Sequence, residues 1–264
     1  MTAGSLALNA GVDCSSGSKP RDEVCGEAVY KGGASVISAA VLAPSTLGIG
    51  WLLYAPLVIW AIVRAPWVEL FADRRRQHLL FGTVFALFML WLVRRDFDTG
   101  VSYHFIGMTA VTLLLDWPLA IVGGVAAQLG LVWLGRQDLA AVGVNGLLLI
   151  GLPVFITELC ALLVERAQPR NPFVYIFCSG FFAAALSALL CLLVGLGLLW
   201  FDGRFAMPQW LEDFVGYLWL IIFPEAFING MVISALVVFC PEWLETFNRT
   251  RYLSAPWKDD DSAR

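Results

Sequence analysis

The sequence predicts an all-α fold, a polytopic membrane helix bundle of about seven transmembrane helices, and three observations carry that prediction. Of the 264 residues 59% are apolar and only 14% charged, whereas a soluble domain is nearer one half and one quarter. The mean hydropathy is +0.75. From about Val41 to Phe239 long apolar runs alternate with short charged breaks. A run that crosses lipid must be helical, because its backbone finds hydrogen-bond partners only within itself. Seventeen Lys and Arg against 21 Asp and Glu leave a formal charge of −4, without the basic excess that a nucleic-acid partner requires.

Residues 1–40 are rich in Gly, Ser and Ala with scattered charges, and read as a disordered N-terminal tail. They lack the basic start and apolar core of a signal peptide. Residues 41–245 form the membrane-embedded unit, and 246–264 a polar C-terminal tail. The apolar runs place spans at roughly 46–63, 79–93, 101–115, 118–134, 139–164, 173–201 and 214–239. The third is short and ends at Asp116-Trp117-Pro118, which predicts a short or tilted helix held by its neighbours. Ten of the 17 basic residues, the Arg74-Arg75-Arg76 cluster among them, then fall on one side. The positive-inside rule makes that side cytoplasmic, with the N-terminus outside and the C-terminus inside. Trp51, Trp67, Trp91, Trp117, Trp133, Trp200 and Trp210 lie near span ends, as interfacial anchors do. Gly123, Gly124, Ala127, Gly143, Gly146, Gly151, Gly180, Ala184 and Ser187 are small residues inside spans, where they let helices approach closely.

Polar side chains within the apolar runs are few. Glu225 follows Pro224 near the middle of the seventh run, one helical turn before Asn229. A carboxylate there is costly to insert, so it must face the bundle interior and have a partner. It either packs through hydrogen bonds or handles a substrate. His104 and Met108 are four apart and, on a helix, share a face, pairing an imidazole with a thioether. Such a pair points to an outward-facing polar pocket, which Asn145 of the fifth run would also reach; an interfacial His ending a short helix is the plainer alternative. Glu158, deeper in the fifth run, shares a face with Gly151 and reads as structural, and His78 as a solvated residue of the Arg-rich break. Six Cys show no metal-ligand spacing, no catalytic or phosphate-binding motif is present, and an enzyme is not expected.

Taken in order, Gly100-x-Ser102-x-His104-x-x-Gly107, Asp116-Trp117-Pro118, Leu139-Ala140-Ala141-x-Gly143-x-Asn145, Glu225-Ala226-x-Ile228 and Ser234-Ala235-Leu236-Val237-Val238 resemble the landmarks of the cobalt and nickel uptake permeases of the CbiM/NikM type. These are substrate-binding membrane components of energy-coupling factor transporters, and the nearest likeness is to a bacterial inner-membrane branch grouped with them. The resemblance implies a permease for a small cation, a transition metal ion such as cobalt or nickel, with the ion as substrate and no resident cofactor. It implies His104 as a metal ligand, with Met108, Asn145, Glu225 and Asn229 as further candidates for the substrate site. It also implies an ATPase and a coupling membrane subunit as partners within the bilayer. The family's second-position His has no counterpart, since the chain begins Met1-Thr2-Ala3 and no His precedes His78. A structural or assembly subunit of a larger membrane complex, keeping the fold without transport, is therefore the alternative.

Overall fold

The computed structural model describes residues 37–96, 102–167, 171–203, 207–248 and 252. The chain enters the bundle earlier than its composition suggests. Ile37, Val41 and Leu42 are buried against Val144, Leu148 and Leu199, and a 3₁₀ turn at Ala39–Val41 leads into helix α1, Pro44–Arg64. Proline suits the first turn of α1 because its missing N–H has no partner there in any helix. Asp202, 159 residues beyond Ala43, accepts the Ala43 N–H at 2.8 Å and the Thr46 hydroxyl at 2.7 Å, and so ties down the start of α1.

A short α2, Trp67–Ala72, is followed by α3, Arg74–Leu92, whose N-cap Asp73 accepts the Arg75 N–H. Strands β1, Arg94–Asp96, and β2, Ser102–His104, pair antiparallel with Arg94 opposite His104. Then come α4, Met108–Leu115, and α5, Trp117–Trp133. Two long helices follow: α6, Leu139–Ala167, and α7, Pro172–Phe201. Each contains a π-helical turn, Leu147–Gly151 in α6 and Ile176–Phe182 in α7. The last, α8, runs Met207–Phe239 with Pro224 inside it.

The expected all-α class holds apart from the two-stranded ribbon, but the expected seven spans do not all appear as spanning helices. Among the described residues four helices are long and apolar enough to cross a membrane: α1, α6, α7 and the Leu218–Phe239 part of α8. The shorter α5 is apolar, and α3 begins with three arginines. The third expected span is corrected outright. Instead of a helix over 101–115 there is a strand, an irregular turn and an eight-residue helix. Irregular backbone at membrane depth is tolerated only where protein surrounds it, and Ile106, Met108, Val111 and Leu115 are all in the main core.

Small residues set the closest approaches, as expected. An added Cβ at Gly143 would lie 2.6 Å from the Trp51 nitrogen, and one at Gly50 would lie 2.8 Å from the Val144 nitrogen, so α1 and α6 cross backbone to backbone. Tyr54 donates to Gln128 at 2.8 Å and Gln128 donates to the Val142 carbonyl at 3.1 Å, stitching α1, α5 and α6 together inside the apolar core. At the arginine-bearing end Arg76 pairs with Glu69 at 2.7 Å and Glu245 at 3.1 Å. The start of the polar C-terminal segment folds back there. The Thr246 hydroxyl donates to the Leu113 carbonyl at 3.1 Å, and Phe247 and Tyr252 pack on Tyr175. Most of the expected N-terminal tail, and Arg204, Arg249 and Arg251, lie outside the described residues.

Candidate functional site

The break in the third segment creates a local problem of hydrogen bonding. Gly107 takes a left-handed conformation, φ 68°, which glycine adopts at no steric cost, and it ends the extended stretch and starts α4. The first N–H groups of any helix lack partners within it. Here they point into the bundle, so other elements must supply acceptors. Glu225 of α8 does so: Oε2 accepts the Ile106 N–H at 2.8 Å and Oε1 accepts the Gly107 N–H at 2.8 Å. Asn229, one turn on, accepts the Ala110 N–H at 2.9 Å through Oδ1 and donates through Nδ2 to Glu225 Oε1 at 2.8 Å. A carboxylate at a helix N-terminus also meets the positive end of the helix dipole. The Ile106 carbonyl is held in turn by the indole N–H of Trp91 at 3.0 Å. Glu225 and Asn229 are 3% and 2% exposed, so both accepting side chains are buried, while Gly107 and Ala110 that donate to them are partly buried.

His104 lies at the end of β2, not on a helix, so the expected helical face shared with Met108 does not exist. Its ring is buried and packs on Trp91 with centroids 5.8 Å apart. Nδ1 lies 2.9 Å from the Phe105 carbonyl oxygen. That oxygen can only accept, so Nδ1 is the donor of this bond, and in a neutral ring the lone pair then belongs to Nε2, the kind of nitrogen that can bind a metal. Met108 opens α4 and is fully enclosed by the apolar core. The expectation that Asn145 reaches the same pocket is not met by its hydrogen bonds. Its side chain clamps the Ile37 backbone, accepting its N–H and donating to its carbonyl, both at 3.1 Å. The structure therefore joins Glu225 and Asn229 to the His104 turn, while Asn145 serves the chain entering the bundle.

Trp91 is the residue the sequence conceals. Its place near a span end reads as an interfacial anchor, yet it is fully buried and belongs to the site. Nothing in the sequence distinguishes it from Trp133 or Trp200, which are exposed. At the arginine-bearing end, Glu158 lines a cavity of about 360 Å³ with Asp116, Glu165 and Glu245, and its Oε2 is buried without a hydrogen-bond partner. Asp116, at the α4–α5 junction with φ 69°, has its carboxyl pushed above the usual range by burial, with the Trp117 N–H pulling the other way. Among the described residues no group of three or more His, Cys, Asp or Glu is placed to hold a metal ion.

A multi-pass bundle with one segment unwound inside it, and buried polar side chains satisfying the freed backbone, has the build of a membrane permease component. The chain belongs to the CbiM family, the cobalt uptake substrate-specific transmembrane region, whose match covers residues 37–243. It is thus a metal-ion uptake permease component of the multi-pass membrane type, in a family of transporters and not of enzymes. Two solved structures share the fold. One is a truncated transition metal transporter, 15% identical with a TM-score of 0.60, covering 77% of this chain and 98% of that one. The other is a transition metal transporter, 17% identical with a TM-score of 0.55, covering 77% and 92%. No curated protein is significantly similar in sequence.

Proposed function

We propose that the chain captures a transition metal cation at the His104 turn for uptake across a bacterial inner membrane. The observation that carries this reading is the unwound third segment, in which an imidazole bonded through Nδ1 to the Phe105 carbonyl sits on a backbone held by Trp91, Glu225 and Asn229. Discontinuous segments inside a bundle are where membrane transporters build substrate sites. The two similar solved structures are transition metal transporters, which favours that class of substrate. His104 is the ligand supplied by this turn; Glu225 and Asn229 support it from behind. Elemental analysis of protein purified after growth with cobalt and nickel tests the reading. Wild type should retain metal and His104→Ala should retain roughly an order of magnitude less, since even groups one step removed from a metal cost that much. Equal metal in both proteins would remove His104 from the site.

The alternative, a structural subunit without transport, gains from the lack of a three-ligand group among the described residues. Metal-free wild type in the same measurement would favour it. Uphill uptake needs an energy source, and with no nucleotide-binding motif in this chain we assign that role to a separate ATPase with a coupling membrane subunit. The arginine-bearing end is cytoplasmic in this reading, with the N-terminus outside. In a variant whose native cysteines are replaced, a cysteine at position 75 should react only with a reagent applied from the cytoplasmic side, and one at position 136 only from outside. The reverse pattern would invert the topology.

A further inference from the structure

One peptide group connects the two polar residues that matter most at the site. The unit formed by the Phe105 carbonyl and the Ile106 N–H is bonded at both ends: its N–H donates to Glu225 Oε2 at 2.8 Å, and its oxygen accepts from His104 Nδ1 at 2.9 Å. We infer that Glu225 is a positioning residue for His104, acting through this peptide in a carboxylate–peptide–histidine relay that sets the ring's tautomer. The inference deepens the capture reading above and rests on it for the identity of the substrate.

The physical basis is that hydrogen bonds in series polarise one another, most strongly where little water enters. A carboxylate pulling on the Ile106 N–H makes the Phe105 oxygen a better acceptor, which holds the proton on Nδ1 and leaves the lone pair on Nε2. Metal-binding histidines are commonly oriented by a carboxylate or carbonyl on the other ring nitrogen; here the two act in tandem. The peptide plane has little freedom to turn. Glu225 also holds the next N–H, of Gly107, and Trp91 holds the Ile106 carbonyl while packing on the ring itself. Glu225 is committed to this task. Its two oxygens already take three N–H donors, from Ile106, Gly107 and Asn229, and it is 3% exposed. Three of the roughly four acceptor positions of a carboxylate are thereby taken.

Histidine-labelled NMR reads the relay without any metal, because the chain has only two His and a His78→Gln protein leaves His104 alone in the spectrum. In that protein the ring should be the Nδ1–H tautomer; an Nε2–H ring would overturn the inference at once. Adding Glu225→Gln places an amide NH₂ or a weaker neutral acceptor against the Ile106 N–H, and the His104 signals should move towards a mixture of tautomers. Unchanged signals would show that Glu225 only packs. Should that protein fail to fold, Glu225→Asp, which keeps the charge and loses reach, is read the same way. Gly123→Ala is the control, since its added methyl meets only the Val84 and Leu80 side chains, away from the Phe105–Ile106 peptide, and should preserve the tautomer. With cobalt(II) alone as the probe, Glu225→Gln should bind about 10- to 100-fold more weakly and show the wild-type ligand-field spectrum at saturation. A changed spectrum at saturation would make Glu225 a ligand and refute the relay. Wild type that binds no cobalt(II) while keeping the Nδ1–H ring would refute the capture reading and leave the relay standing.

Discussion

Replacing Glu225 with Ala is expected to destabilise the protein by several kcal/mol, the largest effect of any polar substitution in the bundle. The buried Ile106 N–H and the partly buried Gly107 N–H both lose their acceptor. Each stranded buried group costs about 1–3 kcal/mol. Asn229 is spared, because its Nδ2 also donates to the Glu225 backbone carbonyl at 2.8 Å, which survives the substitution. Glu225→Gln retains one oxygen and should fall between wild type and Ala. Thermal unfolding of the three proteins in one detergent checks the order. An Ala variant that melts with wild type would mean that the turn finds other acceptors, and that Glu225 does not hold it.

The second large effect is expected at Gly143. A single methyl there would sit 2.6 Å from the Trp51 nitrogen and 2.7 Å from the Gly50 carbonyl carbon. Neither is the end of a flexible side chain, so α1 and α6 must move apart. Overpacking of an ordinary core costs about 1–3 kcal/mol, and Gly143→Ala should reach or exceed the top of that range. Separation at this point would also loosen the Asn145 clamp on Ile37 two residues further along. Gly123→Ala is the matched control: its new methyl would meet only Val84 and Leu80 side chains at 3.5 and 3.6 Å, ordinary contact distances. The two variants should differ sharply in yield of folded protein and in unfolding temperature. Similar behaviour would show that the α1–α6 crossing is not set by backbone contact.

These two residues were unequally readable. Gly143 stands in a run where small residues recur, and the sequence alone assigns it to close helix contact. The sequence also requires that Glu225 have a partner, since a lone carboxylate in an apolar run is too costly, and it places Asn229 one turn away. It could not supply Ile106, Gly107 and the peptide between Phe105 and Ile106.

What the sequence by itself determined is the class of protein and its long helices. An α-helix satisfies its backbone locally, so an unbroken apolar run is enough to specify α1, α6, α7 and the last part of α8. Only the tertiary structure decided the fate of residues 101–115. Their apolar pattern reads as a helix, yet Ile106, Gly107 and Ala110 take their acceptors from Glu225 and Asn229, 118 or 119 residues away. The same holds for Asn145, whose partner is Ile37 at a separation of 108 residues, and for Trp91, whose burial comes from what packs over it. A helix is written in neighbours along the chain. An unwound turn inside a membrane protein is held by groups that meet only once the bundle has formed, and there the local pattern carries no signal.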